Sequence, residues 1–343
     1  MVKSKKTVRN KSKSKPLQKI KAKKLQNVIQ GLNPGDLIDI VAPGSAADFE
    51  VLKKACVIIE SWGYKTRFQS DLLKPNLMYL ANTDEYRFKD LKRALMAKDS
   101  KAIWCFRGGY GSLRLLPYLA KLKKPSDKKL FMGLSDITSL HIFLNQKWNW
   151  PTVHGPLVGS IGREVISESN LNEVKVVLEG SVKQFEFTNL KPITDLSAKV
   201  KSISGPVTGG NLMVVTSTLG TPDQISGAGK ILFFEELNER SYRVDRCLQQ
   251  MRQAGVFKGV KAVVFGDFLQ CLEADGKDYI TPTLKNFFTE IKVAAFTGIE
   301  SGHGAIQRPV FFNTDSKIMV SPVDKTQFTM VNCSPYEILQ PRK

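Results

Sequence analysis

Histidine is scarce: the 343 residues hold three, His141, His154 and His303, so chemistry that needs an imidazole base has few places to reside. Cysteine is little more abundant. Cys56, Cys105, Cys247, Cys271 and Cys333 are odd in number, scattered and free of CxxC spacing, which argues against a disulfide framework and a thiolate zinc site and leaves them as small buried apolar residues. No apolar run approaches the roughly 20 residues that span a bilayer. The first residues also lack the apolar stretch and small-residue cleavage site of a signal peptide, so the expected address is the cytoplasm. No internal repeat is seen. Acidic residues are missing before Asp36, whereas residues 1–24 carry eleven Lys or Arg side chains of a formal net charge of +19. Such a block repels itself and has too little apolar surface to fold, so residues 1–27 read as a disordered basic arm. It serves either as a solvated tail or as a contact for nucleic acid or an anionic surface, and without an aromatic residue to stack on bases it is poorly suited to sequence-specific recognition.

Beyond the arm the pattern is α/β. LIDIVAP (37–43) reads as a buried strand, 50–62 as a helix, and YKTRF (64–68) as a returning strand. The alternation continues with a helix over 87–97, a strand over 101–106, a helix over 112–122, a strand over 130–132 and a helix over 137–144. Strands alternating with helices imply a largely parallel sheet whose functional residues gather at the carboxyl ends of its strands. Residues 157–205 are polar and weakly periodic. A second alternation follows, with strands expected at 230–234, 260–265 and 327–331 and helices at 242–254 and 281–293. The expected division is an N-terminal α/β domain over 28–175, an interdomain linker over 176–205 and a second domain over 206–343.

Two polar loops fall at expected strand ends, RGGYGS (107–112) and GLSD (133–136). A serine between a strand end and a helix start can sit on a tight turn that exposes its hydroxyl beside the first N–H groups of the helix. Ser135 fits that geometry, although Ser135 or Asp136 is equally suited to capping the helix, and the last glycine of GxSxG is missing. A serine nucleophile needs a histidine, and that histidine needs a third group to orient it. His141 lies within an amphipathic helix and reads as structural, and His154 in TVHGP as structural or supporting. His303 in GIESGHGAIQRP lies in a glycine-flanked loop that lets an imidazole approach a reacting centre. ILFFEELNERSY (231–242) sets Glu235 and Glu236 directly after a buried strand. Because consecutive strand residues face opposite ways, one carboxylate can accept from His303 while the other meets solvent or a salt bridge.

Eight ordered blocks, VAPGS (41–45), LANTDEYR (80–87), FRGGYGSLRLLPYL (106–119), GLSDIT (133–138), HGP (154–156), GPVTGGNL (205–212), LFFEELNERSYRVDR (232–246) and SGHG (301–304), resemble the LD-carboxypeptidases. This muramoyltetrapeptide carboxypeptidase family of serine peptidases also contains the microcin C self-immunity peptidases. The likeness runs from about Leu32 to about Val331. It implies a flavodoxin-like N-terminal domain with a parallel sheet, a smaller C-terminal α/β domain with barrel-like β-structure, a site in the groove between them, a homodimer, and neither metal nor cofactor. By the same resemblance Ser135, Glu235 and His303 form a triad, and the backbone N–H groups of Asp136 and Gly109 form the oxyanion hole. Three blocks depart from the usual pattern, with Asn82 in place of Gly, Leu134 in place of Tyr, and Val310-Phe311-Phe312 after Pro309 without a glycine.

The implied reaction is removal of the terminal D-alanine from a murein tetrapeptide, at the L,D bond after a diamino acid such as meso-diaminopimelate. A carboxypeptidase must also hold a terminal carboxylate. Arg107 and Arg114, with Gly108 and Tyr110 in the same loop, and Arg240 and Arg243 beyond Glu235, are the candidates. Two other readings stand. One is an immunity-type peptidase acting on an aminoacyl or peptidyl nucleotide, with Trp148, Trp150 or Tyr242 stacking on the base. The other is a flavodoxin-like binding module without catalysis.

Overall fold

The computed structural model describes residues 28–74, 77–321 and 324–336; the arm expected over 1–27 lies outside the described residues. Strands β1 (Leu37–Val41), β2 (Lys65–Arg67), β3 (Ser100–Cys105), β4 (Leu130–Gly133) and β5 (Thr152–His154) belong to the first sheet. The barrel strands β6 (Gln184–Pro192), β7 (Ser202–Asn211), β8 (Ile231–Leu237), β9 (Ala262–Leu269) and β10 (Ala295–Thr297) follow. β11 (Val310–Phe312) returns to the first sheet, and β12 (Asp315–Val320) and β13 (Phe328–Cys333) complete the barrel.

The first sheet has the order β11-β5-β4-β3-β1-β2, parallel throughout except for β11 against β5. β1, β3 and β4 are buried almost along their whole length because helices cover both faces, which is why each reads as an unbroken apolar run. The other sheet closes as a seven-stranded barrel in the order β10-β6-β13-β12-β7-β8-β9. The fold is therefore the α/β sheet and barrel combination expected.

Two features depart from the expected division. Residues 176–205 are no linker, since they carry β6 and the start of β7, both barrel strands. β6 alternates exposed and buried side chains, QFEFTNLKP, and its polar face disguised it as a connection. β11 lies in the C-terminal half yet pairs with β5 in the N-terminal sheet, where the Asn332 side chain on β13 both accepts from the Phe311 N–H (2.7 Å) and donates to its carbonyl (3.0 Å). Among the described residues no helix is long and apolar enough to cross a membrane, and the five cysteines are free.

The helix Thr138–Trp148 is the joint between sheet and barrel. Its Thr138 hydroxyl accepts the Asn211 N–H at the end of β7 (2.9 Å), the Gln146 side chain accepts from Ser226 N–H (2.6 Å), and Lys147 donates to the Pro222 carbonyl (2.7 Å). The two glycines of GPVTGGNL exist for this joint. Gly210 has φ +131°, and a Cβ there would lie 2.2 Å from Thr138 Oγ1; one on Gly209 would meet the Phe233 carbonyl at 1.9 Å. Gly210→Ala is expected to lower unfolding stability by about 2 kcal/mol or more, through a disfavoured backbone and an overpacked joint. A denaturant titration checks it, and an unchanged midpoint would show that the joint yields freely.

Candidate active site

Ser135 follows β4 and has φ +65°, a left-handed conformation uncommon for a residue with a side chain and characteristic of functional turns. Leu134 before it is extended, and the single turn Ser135–Ile137 leads into the helix Thr138–Trp148. Ser135 therefore sits on a sharp strand-to-helix corner, while Asp136 is buried beneath it. The Asp136 carboxylate accepts the Ser112 N–H (2.8 Å), and burial raises its pKa against the pull of that bond. The glycine loop after β3 lies directly over this corner. A Cβ on Gly108 would meet Ser135 Cβ at 2.7 Å, Ser135 Oγ at 3.0 Å and Asp136 N at 3.2 Å, so only glycine fits. The Gly108 carbonyl accepts the Ser45 N–H (2.9 Å), so in a trans peptide the N–H of Gly109 points to the opposite side.

The LANTDEYR block supports that loop. Thr83 caps the helix Asp84–Met96, and Arg87, buried inside it, donates to the carbonyls of Asn82 (3.0 Å), Gly111 (2.9 Å) and Pro43. One guanidinium thus ties the loop after β1 to the loop after β3.

From the barrel side, β8 delivers two carboxylates. Glu235 is fully buried, and its Oε2 lies 2.6 Å from His303 Nδ1, which donates to it; its Oε1 has no partner among the described residues. Glu236 faces the other way but, among the described residues, meets neither solvent nor a salt bridge, contrary to expectation. It is 4% exposed and accepts from Asn211 Nδ2 (2.8 Å), Leu237 N–H (2.9 Å) and Met213 N–H (2.9 Å), and burial pushes its pKa up to about 7. In register, Asn211 on β7 is the partner of Glu235 on β8, and Asn211 also bonds Thr138. The corner that carries Ser135 and the strand that carries Glu235 are thus docked through one residue.

Asp267 on β9 escaped the sequence reading, although it too lies toward the end of an apolar strand run. Its N–H donates to the Ser301 carbonyl (3.0 Å), and its carboxylate accepts the Gly304 N–H, so it grips the loop on both sides of His303. Burial, with the charges of Glu235 and Glu300, pushes Asp267 up to about 6. For His303, burial alone lowers the pKa, but the hydrogen bond and charge of Glu235, helped by Glu236 and Asp267, hold it above the usual histidine value. A cavity of about 320 Å³ adjoins this loop, walled by Asp267, Phe268, Glu300 and Ile306.

The other histidines are core residues. His141 donates from Nε2 to the Gly133 carbonyl (2.9 Å), and burial pulls its pKa down to about 4. His154 packs on Phe233 (5.0 Å) and Phe312 (5.6 Å). Trp148 and Trp150 are buried and offer no face to a nucleotide base, whereas Tyr242 is exposed, with the guanidinium groups of Arg243 and Arg246 over its ring at 5.8 and 5.6 Å. Of the candidate arginines, Arg114 pairs with Asp84 (2.7 Å) and Arg243 with Glu239 (3.2 Å). Arg107 donates to the Ala46 carbonyl beside the glycine loop, Arg240 is exposed at the start of the helix Ser241–Gln253, and Tyr110 stands exposed against Tyr79. Among the described residues no group of three or more His, Cys, Asp and Glu side chains is placed to hold a metal.

Comparison with known proteins adds to this geometry. A model described as LD-carboxypeptidase N-terminal domain matches residues 38–155, and one described as LD-carboxypeptidase C-terminal domain matches residues 204–318. A putative carboxypeptidase of Rickettsia conorii is 38% identical over 285 residues, covering 83% of this chain and 88% of that protein. Muramoyltetrapeptide carboxypeptidase from Oxalobacter formigenes aligns in structure with a TM-score of 0.75 at 27% identity, covering 88% of this chain and all of that one. MccF in complex with glutamyl sulfamoyl guanosine aligns with a TM-score of 0.77 over 90% of this chain and 99% of that one, and at 18% identity this shows a shared fold alone.

Removing a negative charge beside an imidazolium disfavours the protonated ring. The NMR titration of His303 is therefore expected to move to lower pH in Asp267→Asn and further in Glu235→Gln. Unchanged titrations in both variants would sink this account of the site's electrostatics.

Proposed function

The chain belongs to the LD-carboxypeptidase family of serine peptidases, and on that premise we propose that it removes the terminal D-alanine from murein tetrapeptides with Ser135, Glu235 and His303 as its triad. The observation that carries the reading is the 2.6 Å bond from His303 Nδ1 to buried Glu235, which leaves the other ring nitrogen to act as base. The left-handed Ser135 on the opposing sheet supports it, because a strained corner presents a hydroxyl clear of its own helix.

In this mechanism His303 Nε2 takes the proton of Ser135 Oγ as the oxygen attacks the carbonyl carbon at the L-centre of the diamino acid. Glu235 stabilises the imidazolium that forms. The N–H groups of Asp136 and Gly109 receive the charge developing on the carbonyl oxygen, an arrangement in which each donor typically contributes about 100 to 1000-fold in rate. Collapse of the tetrahedral intermediate breaks the C–N bond, and His303 protonates the departing amine of D-alanine. Water, deprotonated by His303, then attacks the ester and frees Ser135 and the tripeptide. Gly108 and Tyr110 line the approach to the serine, with Arg107 beside them. The reaction belongs to peptidoglycan recycling or turnover in the cytoplasm, carried out by a homodimer.

Wild-type protein is expected to release D-alanine from a disaccharide tetrapeptide, detected by mass spectrometry, and Ser135→Ala to lose about 10,000-fold or more of that rate. Equal release by the two proteins would eliminate the serine mechanism, and no release by the wild type would eliminate the substrate.

A further inference from the structure

Most arginines around the proposed site are already neutralised. Arg87 and Arg114 share Asp84, Arg243 holds Glu239, and Arg308 holds Glu173 and Glu300. Arg107 and Arg163 form no ion pair among the described residues, and neither do Arg240 and Arg246 on the barrel side; what sets the first two apart is their place near the glycine loop. Arg107 immediately precedes Gly108, the residue packed on Ser135. Arg163 follows the short helix Val158–Gly162 and folds back along it, so that its Nη1 lies 3.3 Å from where a Cβ on Gly159 would stand. The Gly159 N–H in turn bonds the Phe106 carbonyl (2.8 Å), one residue before Arg107. Arg107 itself donates to the Ala46 carbonyl in the loop after β1, so the two exposed side chains lie on either side of the carboxyl end of β3. Burial and the positive charge of Arg107 together lower the pKa of Arg163, the mark of two cations held near one another.

Both side chains are exposed, so water screens part of their repulsion, and an anion between them removes the rest. A carboxylate is the anion that suits two planar guanidinium groups, since each offers paired N–H donors. We propose that Arg107 and Arg163 form the seat for the substrate's terminal carboxylate, with Arg163 as a specificity-determining residue. This rests on the carboxypeptidase reading above. It also explains why the catalytic corner needs no cation of its own: the seat anchors the residue that leaves, and the backbone N–H groups serve the carbonyl.

The test compares kcat and KM for a murein tetrapeptide ending in free D-alanine with those for the same peptide ending in D-alanine carboxamide. The wild type is expected to prefer the free acid. Arg163→Ala and Arg107→Ala should each raise KM for the acid about tenfold or more, with a smaller change in kcat, and leave the carboxamide nearly unaffected, so that the preference collapses. Arg163→Lys should keep part of it, and Arg252→Ala, whose side chain pairs with Glu290 away from the site, should keep all of it. Equal losses on both peptides, or a preference that survives Arg163→Ala, would overturn the seat while the Ser135-dependent reaction stood. Collapse in Arg240→Ala alone would do the same by moving the carboxylate to the barrel. A wild type that treats both peptides alike would overturn the seat and the carboxypeptidase reading together.

Discussion

One hydrogen bond, from the N–H of Asn211 to the hydroxyl of Thr138 (2.9 Å), sets the relation on which the rest of the site depends. Thr138 begins the helix that Ser135 leads into, and Asn211 ends the strand that pairs with Glu235. The bond forms only because Gly210 has no side chain where the threonine sits. Together with the bonds of Gln146 to Ser226 and Lys147 to Pro222, this contact limits how the carboxylate carried by the barrel is aimed at the corner carried by the sheet.

Charge is handled differently on the two sides of that joint. The barrel side concentrates carboxylates: Glu235, Glu236 and Asp267 stand near His303, and burial lifts the pKa of both Glu236 and Asp267. The negative charges favour a positive imidazole and outweigh burial, which by itself disfavours the charged ring. On the sheet side, Arg87 is consumed in holding loops together, whereas among the described residues Arg107 and Arg163 pair with no carboxylate. Backbone strain at Ser135 and the glycines packed against it are held in place by this rigid frame.

The sequence blocks fall into two physical kinds once their places are known. VAPGS, LANTDEYR and GPVTGGNL hold backbone: Ser45 binds the glycine loop, Arg87 bridges two loops, and Gly210 admits Thr138. GLSD, LFFEE and SGHG bring Ser135, Glu235 and His303, the groups proposed to react. His154 of HGP turned out to be buried packing, and so did Trp148 and Trp150, because their exposure depends on what covers them rather than on neighbours in the chain.

Local order in the chain was enough to determine the parallel sheet, the strand-end positions of Ser135 and Glu235, and the glycine-flanked loop of His303. Strand and helix periods and turn residues act over a few positions. It also separated His303 from the other two histidines. Only the tertiary structure decided that 184–192 is a barrel strand, that β11 crosses back to the first sheet, that Glu236 is buried, and that Asp267 grips both shoulders of the histidine loop. The same holds for Arg163, which reaches Arg107 through Gly159 and Phe106 across more than fifty residues of chain. Each of these depends on register and closure between segments far apart in sequence, where burial and charge are set by partners that no local pattern names.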